Sequence, residues 1–186
     1  MFSGRRAART TGLAAAAAIT MSFVASTYHS GAHAEEAHVS IAVFDFELED
    51  TSLSGAKLGE KTDEKARLKL ISDLLRNHLS EMGKYEIRDL EPIADALTNA
   101  GPIMYCNGCE VDLAKKLGAQ ISIHGHVHKV SNLILSVNMY VNDVSEAKRI
   151  AVFSADIRGN TDQSWSHGMK WLMRNRLFEA LEKAPE

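Results

Sequence analysis

The chain has 186 residues, 45% of them hydrophobic and 24% charged, with a formal net charge of −3. These are the proportions of a globular domain and exclude a disordered tail. Twelve Gly and three Pro exclude collagen-like and proline-rich chains, and two Cys exclude a multi-disulfide scaffold and an all-cysteine zinc site.

Residues 1–34 read as a secretory signal peptide. Arg5, Arg6 and Arg9 form a basic start without acids, Gly12 to Ala25 is mostly apolar, and Ala32-His33-Ala34 has the small-x-small cleavage pattern. The apolar run is shorter than the ~20 residues of a spanning helix. Cleavage after Ala34 removes three of the 21 basic residues and no acidic one. The remaining residues 35–186 are expected to form one periplasmic domain. Its acidic balance argues against nucleic acid, and no second apolar run predicts membrane insertion.

Val39 to Phe46 (VSIAVFDF) is an almost unbroken apolar run, expected to be one strand buried on both faces of a partly parallel sheet. Asp45 interrupts it near the carboxyl end, where open α/β sheets hold ligands. The alternative for Asp45 is a cap on a nearby turn. The acidic stretch Glu47 to Gly55 reads as a loop.

Lys61 to Met82 predicts a helix. Ile71, Leu74, Leu75, Leu79 and Met82 share a stripe with His78, which reads as a core histidine rather than a ligand. Tyr85-Glu86-Ile87 predicts a short strand, Pro92 the first turn of a helix to about Asn99, and Glu110 to Leu117 a helix closed by Gly118. From Gln120 the period becomes two. Ile121, Ile123 and Val127, then Leu133 to Val141, then Ala151 to Ile157 predict a three-strand antiparallel meander with one apolar face. Thr161 or Asp162 caps a last helix to about Glu182, with Trp165, Met169, Leu172, Met173, Leu177 and Leu181 as its buried stripe. Trp171 and Phe178 lie on a second line that either widens that face or meets a partner. The expected fold is α/β (α+β), a single domain with a mixed sheet in the order β-α-β-α-α-β-β-β-α.

The strings CNGCEVDLAKKLGA, GHVHKVSNLILSVNMYV and ADIRGNTDQSW resemble a bacterial secreted family of unknown function. The opening strand, the long helix and LAKKLGA also resemble the small α/β domain of Tol-system propeller proteins and of curli-secretion-like envelope proteins. The resemblance covers nearly the whole mature chain. It implies an envelope location in a Gram-negative bacterium and an assembly or binding role, and it carries no activity.

Three motifs can carry chemistry. Cys106 and Cys109 form a CxxC, which in an exported chain reads as a local disulfide; a redox pair and a metal site are the alternatives. Gly108 suits the positive φ of so tight a loop. His124, His126 and His128 alternate along one strand and so share a face. An HxH pair can chelate zinc or copper, although the outer two lie ~13 Å apart at strand rise. A three-residue loop pairing Lys129 with Leu133 sets His126 beside Ser136 and His124 beside Asn138, with Tyr140 and Asp156 on the same face. The alternatives are a solvated sheet face and a partner-docking surface. Third, Arg158 and Asp162 flank a turn where a helix start can attract anions, against a plain Gly turn with an N-cap.

The leading expectation is a non-enzymatic periplasmic binding or envelope-assembly accessory protein without a cofactor, acting on an envelope protein. Its candidate surface is Asn138, Tyr140, Arg158, Asp162, Trp171 and Phe178. The alternative is a copper or zinc protein using His124, His126, His128 and Asp156. A thiol–disulfide redox protein is the third.

Overall fold

The computed structural model describes residues 38–59 and 61–183; the expected signal peptide lies outside them. The architecture is a mixed α/β domain around one six-stranded sheet. Strand β1 (Val39–Val43) lies between β3 (Tyr85–Ile87) and β4 (Ile121–Ser131) and is parallel to both. Ile41, Ala42 and Val43 have no exposed surface, as expected of a strand covered on both faces. Strands β4, β5 (Ile134–Asp143) and β6 (Lys148–Ile157) form the antiparallel meander.

The first run is not one strand. It ends at Val43, and Glu47–Asp50 forms a further strand, β2, parallel to β4. Together β1 and β2 flank β4 with a break between them. The groups freed at the break find side chains: the Phe46 N–H donates to Ser72 Oγ at 2.9 Å, and Arg76 donates twice to the Val43 carbonyl. The Phe46 ring packs over Gly125, where a Cβ would also meet the Asn138 carbonyl. Helix α1 (Leu53–Leu58) follows, capped by Ser52. The expected order therefore lacked one strand and one helix, because strand formers are absent from ELED and its pairing is with residues far along the chain.

Helix α2 (Thr62–Glu81) buries Leu68, Ile71, Leu75 and Leu79 on one face of the sheet. His78 corrects the core reading: its side chain is 43% exposed and tilts on Phe178 at the rim. Helix α5 (Asp162–Leu172), a π turn (Met173–Leu177) and α6 (Phe178–Glu182) pack on the same face of the sheet, and all six expected stripe residues are buried. On the other face, α3 (Ala94–Ala100) and α4 (Cys109–Lys116) enclose a second, smaller core with Ala42, Phe44, Leu113 and Ala114. That cover ends over β1 and the start of β4. The polar side of the meander continues beyond it. Among the described residues no helix is long and apolar enough to cross a membrane.

Candidate functional site

The register of the meander decides which polar residues meet. His124 faces Tyr140, His126 faces Asn138, and His128 faces Ser136. This corrects the expected pairing by two residues. The chain turns after Ser131, which pairs Ile134, and a bulge between Lys129 and Ser131 absorbs the odd residue. Leu133, expected in the core, sits in the turn and is exposed. The shared face is as expected, because a shift of two preserves it.

Asp156 is on that face but one strand further out, opposite Ser136. Strand β2 brings Glu47 beside His126 and Glu49 beside His128 on the other side. The row is thus bordered by carboxylates that the loop reading of ELED concealed. Glu49 Oε2 lies 3.5 Å from His126 Nε2, and the Asn138 amide lies 3.3 Å from the same nitrogen.

Glu47 acts on the backbone instead. Its two oxygens accept the N–H groups of Ile103 and Met104 at 2.7 and 2.8 Å. This ties the turn before Cys106 to the edge of the row. Cys106 and Cys109 are joined by a disulfide with Cα atoms 5.5 Å apart. Asn107 and Gly108 both take positive φ between them, and Gly108 caps α4. The loop, α4 and the end of the His row enclose a pocket of about 220 Å³ lined by Met104, Glu110, His124, His126, Tyr140 and Arg149, among others.

His124 stacks on Tyr140 with ring centroids 5.0 Å apart, and the Arg149 guanidinium lies over the same tyrosine ring at 4.6 Å. His124 is only 6% exposed, and its Nδ1 is buried without a partner. Burial, Arg149 and His126 together push this imidazole down to about 4, so it is neutral at pH 7. Burial also lowers His126, against the pull of Glu49 and with a small push from His128; its Nδ1 is likewise buried and unpartnered. Both imidazoles line the pocket beside the Arg149 guanidinium, each with a buried Nδ1 that has no partner.

Arg149 donates to Asn142 Oδ1 at 3.0 Å and reaches Glu110 Oε1 at 3.4 Å. Neither Glu110 nor Arg149 stood out in the sequence. Arg149 falls just before a bulge in β6 that breaks its alternation. Glu110 looks like an ordinary first-turn acid. Among the described residues, the one group of three His, Cys, Asp or Glu ligand atoms lying within 4.8 Å of one another is Cys106, Cys109 and Glu110.

The other candidate positions are spread out. Asn138 and Tyr140 lie on the polar face, whereas Trp171 and Phe178 lie on the helices covering the opposite face. Phe178 packs against the core, and Trp171 is 37% exposed beside a groove with His167 and Asp156. Asp162 does not join Arg158: it binds Arg67 at 2.8 Å, while Thr161 caps α5. Asp45 pairs with Arg76 at 2.7 Å.

The family model described as "DUF3280: Protein of unknown function (DUF2380)" matches residues 39–177, and the chain belongs to that family. No curated protein matches the sequence. Among solved structures, the chain is similar to the LpoB C-terminal domain from Salmonella enterica, at 15% identity over 68% of this chain and 87% of that one, with a TM-score of 0.48. Lipoprotein GNA1162 from Neisseria meningitidis is 15% identical over 80% and 99%, with a TM-score of 0.46. TolB from Acinetobacter baumannii is 10% identical over 81% and 30%, with a TM-score of 0.43.

Proposed function

We propose that this chain is a non-enzymatic accessory protein of the bacterial envelope that binds a periplasmic partner through the polar meander face beneath the Cys106–Cys109 loop. One observation carries the reading. His124, almost wholly buried, lines a pocket that also holds a guanidinium, and its buried Nδ1 has no partner. A buried polar atom left unpaired costs about 1–3 kcal/mol. Such a cost, paid at both His124 and His126, fits a surface completed by something else. The leader pattern and the disulfide both support export. Asn138, Tyr140 and Val152 extend the same face outward, and Val152 is 55% exposed.

Site-specific photo-crosslinking in cells tests it. A photoreactive residue at Val152 is expected to give a discrete adduct with an envelope protein, weakened by Arg149→Ala. The same probe at Leu70, on α2 across the sheet, is expected to give none. Equal labelling from both positions, or no adduct from Val152, overturns the reading. Insulin reduction separates a thiol–disulfide enzyme from this function; the expected activity is none.

A further inference from the structure

We propose that, once the Cys106–Cys109 disulfide is reduced, the roof loop becomes a zinc site with Cys106, Cys109, Glu110 and His124 as its ligands. Three of these are already neighbours, and breaking the S–S bond frees the two sulfurs to separate around an ion. Ligand atoms of Cys106, Cys109 and Glu110 lie within 4.8 Å of one another. Glu110 is itself buried, with 5% of its side chain exposed, so its carboxylate is held and not free in solvent. Its Oε2 accepts the Gly108 N–H at 3.1 Å and lies 3.7 Å from Cys106 Sγ.

The sheet offers the fourth ligand: His124 stands outside the group of three whose ligand atoms lie within 4.8 Å of one another, so reduction must let the loop close onto it. His124 and Glu110 line the same pocket, and the His124 Nδ1 is buried without a hydrogen-bond partner. Zinc takes four ligands from Cys, His and carboxylate, and a C-x₂-C pair is a usual source of two of them. Thiolates prefer zinc to hard cations. Cys109 opens the eight-residue helix α4, where the unpaired N–H groups favour a thiolate. Two thiolates and one carboxylate leave one net negative charge on a Zn²⁺ centre. Arg149, 3.4 Å from Glu110, stands beside it. The polar strand thus contributes one histidine, and His128 stands at the far end of the row.

The step balances with a dithiol as reductant. The dithiol gives two electrons and two protons to the Cys106–Cys109 bond and itself becomes a disulfide. The two thiols then form two bonds to Zn²⁺ and release two protons to solvent. The oxidised protein has no thiolate to offer. The inference is separate from partner binding: its failure leaves the Val152 crosslink unaffected.

The test is Zn²⁺ titration of the mature protein, oxidised and after reduction by a phosphine, against a chromophoric chelator. The reduced protein is expected to take one Zn²⁺ and the oxidised protein none. Glu110→Gln and His124→Ala are each expected to weaken binding by at least roughly 10-fold, the lower end of what even an outer-shell partner is worth, and His128→Ala to leave it unchanged. Co²⁺ substitution of the reduced wild type, which needs no variant, is expected to give a tetrahedral spectrum with thiolate charge transfer. No uptake by the reduced protein, equal uptake by the oxidised one, or a six-coordinate Co²⁺ spectrum overturns the proposal. So does unchanged affinity in both Glu110→Gln and His124→Ala, which would show two bare thiols only.

Discussion

Lys129 Nζ lies 2.6 Å from Glu64 Oε1, and neither side chain has any exposed surface. Asp50 completes the cluster at 2.7 Å from the same nitrogen. These groups join β4, α2 and β2 at one end of the main core. Lys129 stands in the inward row with Ile121, Ile123, Gly125 and Val127, so its charge is tolerated only because two carboxylates meet it.

Lys129→Ala is expected to destabilise the domain by about 3–5 kcal/mol, because it leaves two buried carboxylates without a cation. Urea unfolding at neutral pH measures it. A loss under about 1 kcal/mol would mean that water enters the cluster freely.

The same cluster sets a pH dependence. Burial alone raises the Asp50 carboxyl, but the hydrogen bond from Lys129 and those from Ser52 outweigh it and hold it below the usual carboxylate value. Its contribution is therefore present above the ordinary carboxylate pKa and is lost as pH falls through the lower folded value. Burial alone lowers Lys129, but Asp50 and Glu64 outweigh it and hold the ammonium above the usual lysine value. That contribution is present below the ordinary lysine pKa and is lost as pH rises through the higher folded value. Unfolding midpoints against pH should show a plateau with both limbs, and Asp50→Asn should flatten the acid limb.

Asn160 holds the same corner from the side of α5. Its amide donates to Glu64 Oε1 at 2.7 Å, and its oxygen accepts from Trp165 Nε1 at 3.0 Å and Arg67 at 3.2 Å. Asn160→Ala is expected to cost about 2–3 kcal/mol, since a buried indole N–H and a buried carboxylate each lose a partner. A near-neutral result in chemical denaturation would assign the RGNTD turn to something other than this corner.

Gly125→Ala should destabilise by about 1–3 kcal/mol or more, because the new methyl meets both the Phe46 ring and the Asn138 carbonyl. Adding Phe46→Leu should recover only part of the loss, since the carbonyl belongs to the β4–β5 ladder. Full recovery in thermal melts would place the whole clash in the ring.

Glu47 anchors the roof. Glu47→Ala is expected to speed amide hydrogen exchange at Ile103 and Met104 by roughly 10-fold or more, a loss of about 1.5–3 kcal/mol for bonds to a charged group. Exchange in the core strand β1 should change little. Equal acceleration in both would indicate global destabilisation instead of a released loop.

The stripe Ile71-Leu74-Leu75-Leu79-Met82, the stripe Trp165 to Leu181 and the alternation of Leu135 to Val141 were legible because each repeats with the period of its own backbone, whereas Leu68, a turn earlier on the same helix face, was missed. The three histidines were legible as one face for the same reason. Their partners were not. A bulge at Val130 shifted the register by two, and the acids of ELED, poor strand formers, became a strand through pairing with β4. Glu110 and Arg149 carried no local signal, since a first-turn acid and an edge-strand arginine are ordinary in sequence.

Local periodicity reports which side of a helix or strand is dry, and so the types of most elements and most of the residues that turn inward could be read from the residue order. Tertiary structure alone decided which polar groups are matched. Asp50 meets Lys129 across 79 positions, and the Cys106–Cys109 loop is roofed over His124 by way of Glu47, 56 positions before Ile103. Such matches depend on where separate elements are brought together in the packed fold, and no local pattern encodes that meeting.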